Sequence, residues 1–309
     1  MNPDTAPRVP PQLRVFVRDW LSANNVLLVS RDGHVLIDTG YASHAPLTLA
    51  LVASADGIGD APLALVVNTH GHSDHVGANA ALVRRYGCPV AFPASEAGAV
   101  ARWDHRALLY DYADQRVERF AVDRPIAAGA SAVWGDLEWQ SLAAPGHDMG
   151  ALVFFNPEHR ILVSGDALWQ SGFGFVMPRA LDPLALPATR ATLDLIAALD
   201  ARIVIPGHGV PFSDVPAALD RAYARLAAFE ADDVHAARHA LKVILAFHLL
   251  DVRSMPLESL PSYVDTVGIY RDVNAALLGL SPAALAGMLV SSLERSGALR
   301  RDGDAIRAA

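Results

Sequence analysis

NTHGHSDHVGAN, residues 68–79, is the segment of this sequence that decides the fold. It places four metal-ligating side chains within six residues: His70, His72, Asp74 and His75. Imidazole suits zinc, iron and other transition ions, and a carboxylate adds negative charge, so this mixture favours zinc, iron or manganese over calcium. Alternate residues of an extended loop point to the same side, so His70 and His72 are expected to face one point. Asp74 and His75 turn toward a neighbouring point, which allows two adjacent metal sites.

The sequence around this segment predicts a mixed α/β domain. Branched residues in LRVFVRD and NVLLVS, with a turn at residues 31–33 before HVLIDTG, predict a β-meander over residues 13–39. A buried strand, ALVVNT, begins at Ala64 and precedes the histidine-rich loop. Further strands are predicted at Val90–Phe92, Leu137–Ala143, Ala151–Phe155, Ile161–Ser164 and Arg202–Ile205, and helices at Ala45–Ala55, Val76–Tyr86, Pro187–Leu199 and Val215–Ala228. This order predicts two sheets packed face to face with helices outside, an αββα sandwich.

The sequence pattern changes near residue 230. Strand signals end there, and helical patterns run through VHAARHALKVILAFHLL, SLPSYVDTVGI and SPAALAGMLVSSLERSG. Ser281 is a good N-cap with Pro282 at the first helical position, and GALRRDGDAIRA predicts a hairpin that turns at Asp302-Gly303. We therefore predict a larger domain over residues 1–229 and a small helical domain, similar to a winged-helix module, over residues 230–309.

The first motif, HxHxDH followed by Gly77, resembles the signature of the metallo-β-lactamase superfamily. The remaining ligands of that family are a histidine, a bridging aspartate and a final histidine, each at the end of a strand. The sequence offers PGHDMG, SGDALW and IPGHGVPF in that order, which places these ligands at His147, Asp166 and His208. The resemblance implies a four-layer αββα metallo-β-lactamase sandwich with residues 1–229 as the catalytic domain.

The resemblance also implies that the ligands are shared between two divalent metal ions, zinc in the first place, with iron or manganese as alternatives. The first ion would be held by His70, His72 and His147, the second by Asp74, His75 and His208, and Asp166 would bridge both. Two divalent ions outweigh the charge of two aspartates, which leaves room for a bridging hydroxide. Asp38, in LIDTG, matches an aspartate that hydrogen-bonds the ligand loop and orients its imidazoles. An ordinary turn at the end of a strand is the alternative for Asp38.

Such a metal pair implies hydrolysis. Two ions that share a water lower its pKa from about 15.7 toward neutrality, which supplies hydroxide without a protein base. One ion also polarises a carbonyl and takes up the developing negative charge. Asp74 and Asp166 are the predicted catalytic residues, because either could pass a proton to the leaving group. The resemblance thus implies a metal-dependent hydrolase that uses a metal-bridging hydroxide to cleave a small thioester, ester or lactone.

Within the family, NTHGHSDHVGAN is most similar to the first motif of hydroxyacylglutathione hydrolases, the glyoxalase II enzymes. The similarity ends after Asp166, where those thioesterases continue with a GxGRxFEG-like run and this chain reads SGFGFVMPRALDP. We therefore expect S-lactoylglutathione to be a poor substrate. Two alternatives with the same fold stay open: a persulfide dioxygenase-like oxidoreductase with one iron, and a phosphodiesterase or nuclease.

Two apolar groups are candidates for the substrate pocket. The first follows Asp166 and contains Leu168, Trp169, Phe173, Phe175, Val176 and Met177. These residues predict an apolar wall that favours a hydrophobic acyl or aryl group, with packing into the core as the alternative. The second group, Trp103, Tyr110 and Tyr112, lies in a predicted insertion between Glu96 and Val117 and allows the same two interpretations.

Composition narrows the class of protein. The 309 residues carry a net charge of −8 without a basic patch, which argues against nucleic acid or an anionic membrane as partner. Residues 230–309 hold ten acidic and eight basic residues, so we expect them to pack on the larger domain or to form a homodimer. Cys88 is the only cysteine, and residues 1–16 lack the apolar region of a signal peptide. These features predict a soluble, cytoplasmic protein that acts on a small molecule.

Overall fold

The computed structural model describes residues 7–309. Segment 1–16, which lacks a signal-peptide pattern, is therefore described only from residue 7 onward. Within this range two large sheets face each other. The first contains, in spatial order, β1 (Leu13–Phe16), β2 (Asn25–Leu28), β3 (His34–Ile37), β4 (Leu63–Val67), β5 (Val90–Pro93) and β6 (Arg124–Ile126). The second contains β7 (Ser131–Trp134), β8 (Leu137–Ala143), β9 (Leu152–Asn156), β10 (Ile161–Gly165) and β11 (Ile203–Pro206), in the spatial order β11-β10-β9-β8-β7.

The direction of the strands determines which of them end at the same edge of a sheet. β1, β2 and β3 form the predicted antiparallel meander, and β3 to β6 are parallel. Parallel strands need crossover connections, which contain α1 (Ala45–Val52), α2 (Ser73–Val76), α3 (Asn79–Tyr86) and α4 (Ala94–Arg102). In the second sheet β7 to β10 are antiparallel, while β11 is parallel to β10 and follows α5 (Ala185–Ala198). β8, β10 and β11 therefore end at the same edge.

Burial on both faces of the strands produces the predicted layers. Side chains alternate along β3, so that Val35 and Ile37 face the second sheet while Leu36 faces the outer helices. Trp139 and Phe154 of the second sheet complete the core between the sheets. The outer face of that sheet packs against α5 and α6 (Val215–Ala231). The αββα sandwich is thus confirmed.

The C-terminal segment forms a helical layer with its own apolar core. Its elements are α7 (Asp233–Val252), β12 (Met255–Pro256), α8 (Leu260–Thr266), α9 (Gly268–Val273), α10 (Pro282–Arg295), β13 (Leu299–Asp302) and β14 (Ala305–Ala308). The side chain of Ser281 accepts a hydrogen bond from the backbone N–H of Ala284, as an N-cap does. The core of this segment also includes Ala113 and Phe175, so the helices pack on the sandwich. The division of the chain at residue 230 stays a prediction.

Several elements differ from those predicted. The helix predicted over Val76–Tyr86 is interrupted at Gly77 and Ala78, because the Gly77 N–H donates to Gly40 and a side chain at 77 would collide with residues 40–42. The sequence patterns did not predict α4, β6, β7 or β12. β6 contains a proline and β7 small residues, and both lie at sheet edges, where strand patterns are weak.

No single helix within residues 7–309 is long and apolar enough to span a membrane. The segments Gly268–Leu278 and Pro282–Arg295 pass this test of length and composition only as a pair, which is bent by 96°.

Candidate metal centre

The predicted ligands all lie where strands end or where the next helix begins. The loop after β4 and the short helix α2 carry His70, His72, Asp74 and His75, and the segments after β8, β10 and β11 carry His147, Asp166 and His208. Gly207, just before His208, allows a close approach, since a Cβ there would collide with Asp166 and His75. The structure brings these predicted ligands together in one place.

The first group of ligand atoms is formed by His70, His72 and His147, whose nitrogens all lie within 4.8 Å of one another. Nε2 of His70 is 3.1 Å from Nδ1 of His72, and Nδ1 of His72 is 2.7 Å from Nε2 of His147. A neutral imidazole has only one N–H, so hydrogen bonds among the three rings cannot satisfy all of their nitrogen lone pairs. A cation between the three nitrogens would satisfy them together.

The second group contains Asp74, His75, Asp166 and His208, again within 4.8 Å. Nε2 of His208 is 2.8 Å from Oδ2 of Asp74, and Nε2 of His75 is 3.3 Å from Oδ1 of Asp166. That His75 nitrogen is buried without a hydrogen-bond partner among the described residues. An orphaned imidazole nitrogen beside two carboxylates fits a divalent metal ion.

Asp166 lies between the two groups. Its Oδ2 is 3.3 Å from Nε2 of His147, whereas its Oδ1 faces His75 and lies 3.9 Å from Nε2 of His208. One carboxylate oxygen therefore points to each group, as a bridging ligand requires. The groups are those implied by the resemblance, and the assignment of metal ions to them stays a prediction.

Burial prepares the imidazoles of the first group for metal binding. It lowers the pKa of His72 and of His147 to about 4, and for His147 the neighbouring His72 adds to the effect. Burial, together with neighbouring imidazoles, lowers the pKa of His70 well below its ordinary value. These rings are therefore neutral near pH 7, the state in which a histidine binds a metal.

The carboxylates of the second group are ionised, and His75 is the imidazole that responds most strongly to their charge. Burial alone would raise the pKa of Asp166, but the imidazoles of His75, His208 and His147 hold that pKa well below its ordinary value. Burial likewise opposes protonation of His75, yet the carboxylates around it, led by Asp38, raise its pKa well above the ordinary value. Ionised carboxylates in a buried site favour a bound cation.

Most of the ligand imidazoles have a polar neighbour at the ring nitrogen that does not face the other ligands. Nδ1 of His70 is 3.0 Å from the Thr69 hydroxyl, and Nδ1 of His147 donates to the backbone carbonyl of Phe175. Nε2 of His72 lies 3.6 Å from Oδ2 of Asp148. The contacts at His70 and His147 fix the tautomer and the direction of these ligating imidazoles, whereas the separation at His72 is too long for a hydrogen bond.

Asp38 is the most connected of these supporting residues. Its Oδ1 accepts a hydrogen bond from the Thr69 N–H at 2.9 Å, and its Oδ2 lies 2.8 Å from the Thr69 hydroxyl and 2.7 Å from Nδ1 of His75. It is buried and adopts a left-handed backbone conformation, with φ of 57°. The predicted contact between Asp38 and the ligand loop is thus present, and the strained conformation aims its carboxylate at that loop.

We expect Asp38→Asn to weaken metal binding by about 10- to 100-fold, the usual cost of losing such a partner. Asparagine tolerates the left-handed conformation, but its amide offers one acceptor where the carboxylate offers two. Competition with a chromophoric chelator measures the affinity for zinc. Asp136→Asn is the matched control, because Asp136 also has a positive φ, 59°, but is exposed in a turn. Equal zinc affinity in both variants would exclude this role for Asp38.

Two acidic residues of the site were not found from the sequence. Asp148 follows His147 directly, and Glu96 lies on α4, a helix that the pattern did not predict. Burial and the adjacent Asp148 raise the pKa of Glu96 well above its ordinary value, and burial raises that of Asp148. Both carboxyls therefore favour the protonated form, and Asp148 lies beside His72. In the sequence, the only indication of this pair is that Asp148 directly follows the ligand His147.

A cavity of about 520 Å³ opens onto the metal centre. Trp20 lies at its rim and stacks on His208, with ring planes within 8° and centroids 5.6 Å apart. Trp169 also lines it, and its indole N–H donates to Oδ1 of Asp166 at 3.1 Å. The metal centre is thus accessible to a small molecule and flanked by aromatic rings.

The apolar wall predicted after Asp166 is only partly correct. Trp169 and Phe175 line the cavity, whereas Leu168, Phe173 and Val176 are buried in the core against α5 and α6, and Met177 packs at its margin. An apolar segment that follows a buried strand gains free energy by packing into the core, so its apolar composition alone does not distinguish a pocket wall from core packing.

The insertion aromatics do not line the cavity: Tyr110 contacts the ligand loop, whereas Trp103 and Tyr112 pack against hydrophobic cores. Trp103, Tyr110 and Tyr112 are not among the described residues that line the cavity. The Tyr110 hydroxyl donates to the carbonyl of Gly71, between the first two ligands, at 2.9 Å. Leu108 and Leu109 of the same insertion form part of the cavity wall.

An αββα sandwich with two adjacent groups of histidine and aspartate at its strand ends defines a class of metal-binding proteins. The chain belongs to the metallo-beta-lactamase superfamily, whose family model matches residues 18–208. That range contains the ligand groups and Asp38. The predicted family and fold are confirmed.

Comparison with individual proteins supports the same family. The chain is 29% identical to the hydroxyacylglutathione hydrolase of Rhizobium etli over 114 residues, 37% of each protein. It is 28% identical to the acyl-coenzyme A thioesterase MBLAC2 of Gallus gallus over 173 residues, 51% of this chain and 60% of the relative. The matches span less than two thirds of these relatives.

A solved structure extends the similarity of fold to nearly the whole chain. The metallo-beta-lactamase family protein TTHA1429 from Thermus thermophilus matches with a TM-score of 0.53 and 22% identity, over 97% of this chain and 99% of that protein. This similarity concerns the fold alone.

Proposed function

We propose that this protein hydrolyses a small thioester, ester or lactone at two divalent metal ions, with zinc as the native metal. The observation that carries the proposal is the position of Asp166, with one carboxylate oxygen toward each ligand group. When bound, such ions lower the pKa of water and polarise a carbonyl oxygen. The chain supplies neutral imidazoles and ionised carboxylates to hold the ions in place.

The aspartates have further roles in this proposal. Asp74 and Asp166 are ionised, because adjacent imidazoles lower the pKa of both carboxyls against the effect of burial. Their ionised state leaves each carboxylate free of a proton, and in this proposal either of them would pass the proton of the nucleophile to the leaving group. The Trp169 indole N–H, 3.1 Å from Oδ1 of Asp166, keeps that carboxylate in its orientation.

The surroundings favour an acyl substrate with little negative charge. The described residues that line the cavity include neither lysine nor arginine. Phosphodiesters and the carboxylates of glutathione would therefore find no cationic partner beyond the metal centre. Both relatives named above act, by their names, on acyl thioesters, which supports acyl chemistry.

The test combines metal analysis with a substrate panel. We expect two zinc ions per chain after expression in zinc-supplemented medium, and hydrolysis of thioesters, esters or lactones that is faster than that of S-lactoylglutathione or a phosphodiester. One iron per chain with oxygen consumption on a persulfide would instead identify an oxidoreductase. Faster cleavage of a phosphodiester than of any acyl compound would also overturn the proposal.

A further inference from the structure

Helix α7 is apolar on two of its faces. Leu241, Leu245 and Leu249 are buried in the C-terminal core and repeat every four residues. Val243, Phe247 and Leu250 follow a second helical stripe, remain partly exposed and line the cavity. A helix of a globular protein usually presents polar residues on the face that leaves the core. Val243 packs at the margin of the C-terminal core and the Phe247 ring lies 5.5 Å from that of Tyr41, but the stripe also presents apolar surface to the cavity.

The stripe belongs to the same cavity as the metal centre. Around it lie Leu109, Ile269 and Ala298, and the cavity continues to His72, Asp74 and Asp166. We call the part lined by Leu109, Val243, Phe247, Leu250, Ile269 and Ala298 the apolar arm. Its residues come from an insertion of the sandwich and from the C-terminal segment, so the arm exists only where these two parts pack together.

We propose that the apolar arm binds the acyl chain of the substrate, and that Val243, Phe247 and Leu250 determine the preferred chain length. This inference rests on the proposed function and names its substrate class: a medium-chain or longer acyl group joined to a polar leaving group. The reacting carbonyl lies at the metal centre while the chain extends along α7. A polar thiol or alcohol carrier stays on the solvent side of the cavity.

Three observations support the acyl chain over other occupants. The cavity is continuous with the metal centre, so an occupant of the arm is connected to the reacting group. The arm is lined by aliphatic and aromatic side chains, and no described residue of the arm carries a charge. The cavity volume, about 520 Å³, lies within the range of small-molecule sites and accommodates a chain of several methylenes.

Chain length is the direct measure of this proposal. Each buried methylene contributes enough to raise affinity by about fourfold. We therefore expect kcat/KM to rise by about that factor per methylene from butanoyl to decanoyl thioesters of one small polar thiol. A matched series of acetate esters with lengthening alcohols is expected to show no such rise. A length dependence confined to the alcohol series would place the leaving group in the arm and overturn the proposal.

Leu250→Glu places a charge in the arm, and we expect it to abolish the rise of kcat/KM with chain length. Leu184→Glu is the matched control, because Leu184 is 63% exposed and outside the cavity. Leu250→Met keeps the arm apolar and is expected to retain the chain-length dependence. A rise with chain length that survives in Leu250→Glu would overturn the role of α7.

Binding of the product separates this inference from the proposed function. Decanoate is expected to bind the metal-loaded protein more tightly than butanoate by about three to four orders of magnitude, measured by calorimetry, and to lose that advantage in Leu250→Glu. Hydrolysis of thioesters with equal affinity for the two carboxylates would leave the proposed function standing and overturn the arm. Tighter binding of decanoate without hydrolysis of any acyl compound would support the arm and overturn the proposed function.

Discussion

His72→Ala and His208→Ala are each expected to remove a metal ion from the protein and to lower kcat/KM by more than about 100-fold. The two residues supply nitrogens to different groups, since Nδ1 of His72 lies 2.7 Å from Nε2 of His147 and Nε2 of His208 lies 2.8 Å from Oδ2 of Asp74. Alanine offers no ligand atom, and loss of a supporting partner alone already costs about 10- to 100-fold. Metal per chain is measured by mass spectrometry, and kcat/KM with the best acyl substrate.

His159→Ala is the control for this pair, because His159 is exposed in the turn between β9 and β10 and lies outside both ligand groups. It should retain the metal content and the activity of the wild type. Two metal ions per chain in both His72→Ala and His208→Ala would show that the structure assembles these residues for another purpose.

The ligands could be found from the sequence because their positions are fixed by chain direction and strand ends. Four of them occupy one loop and the helix after it. Asp166 and His208 follow β10 and β11, whose apolar runs are easily recognised, and His147 follows β8, whose buried and exposed residues alternate. A parallel pair such as β10 and β11 ends at one edge, so Asp166 and His208 must be neighbours once those strands pair. The chemistry of the site is thus encoded locally.

The supporting residues were harder to find because their roles arise from long-range packing. Glu96 reaches the site only through α4, and Asp148 has a role only because His72 packs beside it. The second stripe of α7 resembles a buried helix in sequence, and only its contact with the cavity shows that it faces a space. Periodicity identifies an apolar face but not what that face meets.

The fold shows the same contrast between strong and weak local signals. The meander and the strands β4, β5 and β8 to β11 contribute branched or aromatic residues to the buried cores, and all were predicted. The edge strands β6 and β7 bury little and were not. Gly77 interrupts a helix that periodicity would continue, because the close contact with residues 40–42 depends on the tertiary structure.

The position of Asp166 between the groups makes its isosteric replacement especially informative. Asp166→Asn preserves the shape of the side chain but removes its charge and one of its two oxygens. The remaining oxygen can face His147 or His75, which lie 3.3 Å from different oxygens of the aspartate, but not both. We therefore expect one metal ion per chain, or a second ion that a weak chelator removes.

We expect kcat to fall when one of the two metal ions is lost or only weakly bound. Two ions contribute several kcal/mol to stabilisation of the transition state, so kcat of Asp166→Asn is expected to fall by about 100-fold or more. The thermal unfolding midpoint in excess chelator separates this loss from misfolding, because it compares the metal-free proteins. Asp220→Asn, at an exposed position of α6, is the control and should match the wild type in metal content and kcat. Two tightly held ions together with wild-type kcat in Asp166→Asn would show that Asp166 does not bridge the metals, and the proposed function would lose the observation that carries it.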